Sequence, residues 1–474
     1  TASAEGNGGS GSAAASSVSP TNYTPDFLTP PEVPTDIKEE KDCDVLVIGM
    51  GLAGTAAAKE AAEAGKKVIV LEKQPEDSYS VISMAGDFGV VGSQIQKDLG
   101  IEWAPKADIM NEYVKETGGR CDTWMMSYWY DHSGEDFDWF IEGADYEVLK
   151  STAANRETDK PNFIRPKCFP KLETYDYKEG VHPYFHGTIT TNPNMQWACE
   201  AAFNAALAAG AELIYEAEGE QLIKEGDKVV GVYASDEDGN IVRINAKKGV
   251  VLSCGDMSSA TEMLTYYAPQ ATKYGCFFST MDKSGKPVNT GDGHKMAMWA
   301  GAVMEDGPYA PMTHSLGTNS VGIDPFLMVN QDGKRFANED VGAQELQNAI
   351  KRQKGGVSYQ IFDSKWKEQL SAMPQCFGGV THYIPPEQEA EYEHAINHFA
   401  AGYASDTYFQ GEIEQGSIIP ADSIEELAKA VNIPADAPVE TVERYNELEH
   451  AGKAADFSKV STRLFPVGNP PYYA

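Results

Sequence analysis

Two periodicities run along the chain, and the first clear signal is a strand. Val45-Leu46-Val47-Ile48 is an unbroken apolar run behind Asp44, and Val68-Ile69-Val70-Leu71 repeats it behind Lys67. Runs this short and this rich in β-branched residues predict strands buried on both faces. The Ala-rich stretch between them predicts a helix to about Ala64, closed by Gly65. Residues 124–139 carry six aromatic side chains near helical spacing, which reads as core packing rather than a stacking platform. An Ala-rich helix is predicted over 194–210, then short strands over 212–215, 228–234 and 241–246. The last two are joined by the turn Asp236-Glu237-Asp238-Gly239-Asn240. Gly249-Val250-Val251-Leu252-Ser253 predicts one more buried strand, ending in Cys254-Gly255.

Beyond residue 310 the composition changes. Residues 326–330, the turn Gln331-Asp332-Gly333-Lys334 and Arg335-Phe336 predict a second hairpin, and Ser423-Ile424-Glu425-Glu426 is a capping box opening a helix. At 474 residues, two domains are expected, with a boundary near 308–315.

The turn between the first strand and the first helix sharpens this picture. Gly49-Met50-Gly51-Leu52-Ala53-Gly54 follows the strand at once, and Glu72 stands just past the second strand. Gly49 allows the tight turn, Gly51 lets backbone N–H groups approach a pyrophosphate, and Gly54 lets helix and strand pack closely. The helix N-terminus offers its positive end to phosphates, and Glu72 accepts from ribose hydroxyls. With strand, helix, second strand and acid in place, this is an adenine dinucleotide site.

Charge and cysteine usage narrow the partners. Thirty-eight Lys and Arg against 71 Asp and Glu give a net charge of −33. That balance argues against nucleic acid or an anionic membrane surface and would suit a cationic partner. No run approaches the ~18–20 apolar residues of a transmembrane helix. Residues 1–40 read as a disordered Gly-, Ser- and Pro-rich leader, favouring an exported protein over a cytoplasmic one. Seven dispersed cysteines include no C-x-x-C, so no structural zinc, attached haem or iron–sulfur cluster is expected, and no disulfide framework.

Further motifs point to a family. Ser80, Ser83, Ala85 and Gly86 lie in a small-residue segment; Val250 to Gly255 is a strand ending in Cys-Gly; Thr290-Gly291-Asp292-Gly293 precedes an apolar helix. Asn330-Gln-Asp-Gly-Lys-Arg-Phe-Ala-Asn-Glu339, Tyr359-Gln-Ile-Phe-Asp363, Val442-Glu-Arg-Tyr-Asn446 and Pro470-Pro-Tyr-Tyr473 follow in order. On these the chain is identified as a member of the fumarate reductase/succinate dehydrogenase flavoprotein family, resembling its soluble single-chain reductases. The resemblance implies an α/β fold: a Rossmann-like FAD-binding domain (41–310) with an inserted α+β capping domain (311–474). It implies FAD held by Gly49, Gly51, Leu52, Ala53, Gly54, Glu72, Lys73, Ser80, Ser83, Ala85, Gly86, Gly219, Ser253, Cys254, Gly255, Thr290, Gly291 and Asp292. The chemistry it implies is hydride transfer between flavin N5 and one carbon of a C=C or CH–CH bond, with a side chain handling the proton.

The sequence departs from the family at the proton donor. The family's Arg aligns with Ala343, and no Arg lies between 336 and 351. The Glu and Arg that feed it are absent from 316–324, and the substrate-binding His aligns only with His314, one residue out of register. A dianion needs guanidinium forks, so fumarate and succinate are not expected as substrates. An enone or enoate is, with Tyr309, His314 or Tyr359 as proton source and Glu339 a weaker candidate. The electron source is expected to be external, a cytochrome or FMN protein. Two other readings stay open: a desaturase of the ketosteroid dehydrogenase type, and a non-catalytic FAD-binding electron carrier. In the family the chain then returns to the FAD domain, whereas this sequence stops at Ala474 where that return would begin. The expectation is a piece of a longer chain.

Overall fold

The computed structural model describes residues 24–77, 87–148 except 102 and 104, 161–167, 187–271, 281–307 except 283, and 309. It resumes over 321–341 except 323, 343–373, 382–388, 403–452 and 455–474. Six strands form the principal sheet: β1 (Ile37–Ile48), β2 (Val68–Leu71), β7 (Glu212–Ile214), β8 (Glu218–Glu225), β9 (Lys228–Ser235) and β10 (Ile241–Leu252), in the order β7-β2-β1-β10-β9-β8. β1 lies parallel to β2 and β10, while β9 and β8 run antiparallel at one edge. Leu46, Val47, Val68, Ile69 and Val70 are fully buried, as unbroken apolar runs require in a sheet covered on both faces. Helix α1 (Leu52–Glu63) connects β1 to β2 and packs against α5 (Gln196–Ala208) through small residues such as Ala58, Ala62 and Ala206.

A second sheet, β3 (Asp87–Gly89), β4 (Glu147–Val148), β5 (Phe163–Lys167) and β6 (Thr188–Asn192), follows the order β3-β6-β5-β4. It shares a core with α4 (Thr123–Phe140) and α5 that includes Phe137, Phe140, Ile164 and Ile189. The short helix α2 (Gln94–Asp98) is closed by a Ser93/Gln96 capping box, and α3 (Lys106–Glu116) packs on α4. Helices α6 (Thr261–Tyr267) and α7 (Asp292–Trp299) complete this half.

A third sheet contains β11 (Leu327–Asn330), β12 (Ser358–Asp363), β15 (Pro420–Ala421) and β16 (Tyr472–Tyr473), ordered β11-β12-β16-β15; β13 (His382–Ile384) pairs separately with β14 (Tyr403–Ser405). Helix α8 (Ala343–Ile350) and the helices Ile424–Ala430 and Asp436–His450 flank it. The expected domain boundary falls mostly outside the described residues.

Several expectations need correction. Residues 24–40 of the expected leader are part of the fold: Phe27 is buried and β1 begins at Ile37. Trp299 Nε1 donates to the Phe27 carbonyl at 2.9 Å, pinning this segment to the end of α7. The strands predicted over 241–246 and 249–253 are one 12-residue strand, since Lys247 and Lys248 project outward without breaking it. β8, Glu-Gly-Glu-Gln-Leu-Ile-Lys-Glu, was not predicted; it is an edge strand whose charges mask the alternation. The turn at 331–334 forms, with Asn330 N–H donating to the Lys334 carbonyl, but its return arm contributes only the Val329–Arg335 bridge. β12 pairs with β11 instead. Ser423 Oγ accepts from Glu426 N–H at 3.1 Å as expected, although the Glu426 carboxylate reaches back to Asp422 N–H rather than to Ser423. Core packing holds for Phe137, whereas Trp124 is 72% exposed and stacks on Tyr128 at the surface.

Candidate dinucleotide site

The three glycines of the first turn do two different jobs. Gly49 has φ +95°, and a Cβ there would lie 2.4 Å from the Ser253 carbonyl oxygen. At Gly54 a Cβ would sit 1.9 Å from the Gly49 carbonyl. Both positions are fixed by backbone packing between β1, α1 and the end of β10. Gly51 differs: a Cβ there meets nothing within 4 Å, so its missing side chain leaves open space above the helix N-terminus. No side chain caps that terminus of α1, and its first N–H groups are available to an anion. Ser253 locks the turn from the neighbouring strand, its Oγ donating to the carbonyls of Ile48 and Gly49, both at 2.9 Å.

Glu72 stands where β2 ends, 8% exposed. Its carboxylate accepts from Met50 N–H at 3.0 Å and Gln74 N–H at 2.8 Å, which holds it facing the glycine turn. Each oxygen retains acceptor capacity for a hydroxyl. Opposite, Gly291 takes φ +74° and turns the chain into α7, whose first residue is Asp292. Asp292 accepts from Lys73 Nζ at 2.8 Å and Thr290 Oγ1 at 2.7 Å, with Lys295 Nζ at 3.4 Å. Burial opposes the ionisation of Asp292, but these donors outweigh it and hold the carboxyl below its ordinary range. Lys73 also donates to the Val288 carbonyl at 2.6 Å, so one ammonium ties the end of β2 to the start of α7. Burial, reinforced by Asp292, pushes the Cys254 thiol up to about 11. Cys254 is therefore a packing residue, and a Cβ on Gly293 would touch its Sγ at 3.1 Å.

Gly49, Gly51, Glu72, Lys73, Gly219, Ser253, Cys254, Gly255 and Asp292 line one cavity of about 220 Å³. Leu52, Ala53 and Gly54 form the first turn of α1 beside it, and Thr290 and Gly291 hold Asp292 in place. Ser80, Ser83, Ala85 and Gly86 lie outside the described residues. Sequence reasoning missed Met50, Gln74, Ala217, Glu218, Val288, Asn289 and Met296, which line the same cavity. Gln74 was legible in principle, two residues past Glu72; Ala217 and Glu218 lead into the unrecognised edge strand.

Of the residues expected to act on the substrate, the described ones, Tyr309, Glu339 and Tyr359, do not line this cavity. Glu339 is 1% exposed and bound bidentately by Arg335, Nε at 2.8 Å and Nη2 at 2.7 Å, with Lys459 Nζ at 3.6 Å. Tyr359 donates to the Val431 carbonyl at 3.1 Å and packs on the capping-domain core. These are structural engagements, set by burial that the sequence pattern did not reveal. Tyr309 donates to the Glu305 carbonyl and packs edge-on to Tyr267, its hydroxyl pushed above the usual range by desolvation and by Glu305 and Asp306. His314 lies outside the described residues. The described residues contain no cluster of His, Cys, Asp and Glu arranged to hold a metal, and no helix long and apolar enough to cross a membrane. The four described cysteines, 43, 121, 199 and 254, are free.

The family profile described as "FAD binding domain" matches residues 44–474. The chain is 24% identical over 474 residues to digoxin reductase of Eggerthella lenta, covering 93% of this chain and 76% of that protein. It is 22% identical over 480 residues to the NADH:acrylate oxidoreductase of Vibrio harveyi, covering 92% of this chain and 44% of that one, so it spans less than half of that relative's length. Among solved structures, a 3-ketosteroid-delta4-(5alpha)-dehydrogenase from Rhodococcus jostii RHA1 superposes with a TM-score of 0.59 at 20% identity, covering 93% of this chain and 83% of that one. The open conformation of a flavocytochrome c3 fumarate reductase gives 0.55 at 22%, covering 92% and 66%. These likenesses show a shared fold. The open slot at Gly51, the uncapped α1 terminus and the inward-facing Glu72 fit the pyrophosphate and adenosine of the cofactor.

Proposed function

Since the chain belongs to the FAD binding domain family, we propose that it is an FAD-dependent reductase of an activated C=C bond, an enone or enoate rather than fumarate. Bound FAD supplies hydride transfer at flavin N5. The chain's own part at the described site is to hold the adenosine and pyrophosphate: Glu72 for the ribose, Gly51 and the α1 terminus for the phosphates, and the Lys73–Asp292 pair as the far wall.

The observation that carries the substrate reading is the state of the arginines around the capping hairpin. Arg335 is committed to Glu339, and Arg463 binds Asp340 bidentately at 2.8 and 2.7 Å. Position 343, where fumarate reducers carry their proton-donating Arg, is alanine at the start of α8. A dicarboxylate needs open guanidinium forks, and these two are occupied. The names of two relatives, a digoxin reductase and an acrylate oxidoreductase, support the same direction. Electrons come from an external donor, in keeping with the absence of haem-attachment and cluster spacings from this chain.

The test is anaerobic oxidation of reduced methyl viologen by the flavin-loaded protein with fumarate, acrylate, simple enones and steroid enones in parallel. Turnover with an enone or enoate and none with fumarate is expected. Fumarate turnover at a comparable rate would overturn the substrate reading. Flavin that is reduced but reoxidised by no alkene would favour the carrier reading, and dehydrogenation of a saturated ketone with an acceptor dye the desaturase.

A further inference from the structure

The segment ahead of β1 is anchored to three elements, two of which also wall the dinucleotide cavity. Residues Asp26–Leu28 form a single 3-10 turn, and Phe27 at its centre is 7% exposed. Its ring packs on Tyr266 and Tyr267 of α6, each at 5.8 Å between centroids. Asp26 N–H donates to the Glu262 carboxylate of α6 at 3.1 Å, and Gln221 Nε2 of β8 donates to the Pro31 carbonyl at 3.4 Å. From α7, Trp299 Nε1 donates to the Phe27 carbonyl at 2.9 Å.

The contact with α7 matters because that helix lends Asp292 and Met296 to the cavity wall. It runs for eight residues, too few to be stable alone, so its position is set by what holds its ends. At the first end Lys73 and Thr290 hold Asp292. At the last end Lys224 of β8 donates to the Ala300 carbonyl at 2.5 Å. There too Trp299 packs on the core that contains Met296 and Ile48, with Phe27 taking its indole N–H. Withdrawing Phe27 removes that acceptor and opens the socket beside Tyr266 and Tyr267 to water. The last turn of α7 then loses a constraint, and the wall carrying Met296 loses its fixed position.

We infer that Phe27 is a positioning residue for FAD: docking of residues 26–31 and occupation of the dinucleotide cavity favour one another through α7. The inference rests on the assignment of FAD to this cavity and is independent of which alkene is reduced. Coupling of this kind is reciprocal, so whatever factor the docked segment adds to FAD affinity, bound FAD adds to docking.

The test makes two measurements on the full-length protein. The first titrates the apoprotein with FAD, by flavin fluorescence, well below its melting temperature. Phe27→Ala should bind about tenfold more weakly than wild type, and Phe27→Leu, which refills the socket, within about threefold of it. Phe409→Leu, a cavity in a separate core cluster of the capping domain, should lower the melting temperature and leave FAD affinity unchanged. The second is hydrogen exchange at Leu28 and Thr29, whose N–H groups donate to the Pro25 and Asp26 carbonyls. Saturating FAD should slow these amides several-fold, and by a larger factor than those of the capping-domain helix Ile424–Ala430. Wild-type FAD affinity in Phe27→Ala, or exchange at these two amides that ignores FAD, would overturn the inference. So would a Phe409→Leu protein weakened as much as Phe27→Ala, since general destabilisation then accounts for both. Should Phe27→Ala fail to fold, the exchange measurement on wild type still decides. Wild type that binds no FAD would overturn the cofactor assignment together with this inference, whereas unaltered binding in the variants would leave that assignment and the reductase reading standing.

Discussion

At the scale of the residue, the glycine turn separates two effects that a motif alone conflates. A methyl group on Gly54 collides with the Gly49 carbonyl at 1.9 Å, and neither backbone can retreat. Gly54→Ala is therefore expected to cost about 3 kcal/mol or more and to lower the melting temperature of the apoprotein. Gly51→Ala meets nothing in the protein, so it should melt like wild type yet purify with little flavin, the methyl occupying the pyrophosphate slot. Equal loss of stability in both variants would contradict this division. Asp292 gives a pH dependence with a definite sign. Its folded-state pKa lies below its ordinary value, so its contribution is complete above about pH 4 and lost as pH falls through the lowered value. Asp292→Asn should cost roughly 1–2 kcal/mol at pH 7 and flatten the fall of unfolding free energy as pH drops below about 4.

At the scale of the element, the parts that were legible in sequence are those in which one period governs every residue. α1, β2 and the end of β1 match the expectation within a residue or two, because an unbroken apolar run and an alanine stretch leave few alternatives, whereas the charged first half of β1 from Ile37 shows no such run. β8 was not, because an edge strand needs only one buried face and spends its other positions on charge. The capping hairpin failed for a different reason: Arg335 turns inward to Glu339 and leaves the expected strand, a choice made by a partner that only folding brings near. That pair also decides what Glu339 does. With Arg335 6% exposed and Lys459 fully buried, two cations lean on one carboxylate, and burial pushes Lys459 down to about 8 against the pull of Glu339. Glu339→Gln should destabilise the capping domain by about 3–5 kcal/mol, seen as an earlier thermal transition. A catalytic Glu339 would instead give a variant with unchanged melting and no turnover. The dinucleotide half of the site was legible because its chemistry is local to two turns. The substrate half was not, because its candidates came from single residues whose burial no pattern discloses.

At the scale of the whole molecule, charge governs encounter. A net charge of −33 sets up a field that draws in cationic donors and repels anionic ones. With reduced methyl viologen, a radical monocation, as donor, turnover at limiting donor concentration should fall several-fold between about 10 and 200 mM salt, as the screening length shrinks from about 30 Å to under 10 Å. A zwitterionic donor should show little such dependence, and equal slopes for both would sink the steering account.

The order of the principal sheet has a consequence for how the chain is made. One edge of β1 finds β2 within some 25 residues of synthesis, but the other edge waits for β10, which ends at Leu252. At about 5–20 residues per second, Val45 to Ile48 spend roughly 10–40 s with half their hydrogen bonds unmade. During that interval the nascent chain carries an apolar strand with an open edge, the kind of surface that chaperones hold and other nascent chains invade. The strand that later cradles the cofactor is thus made about 200 residues before its second neighbour.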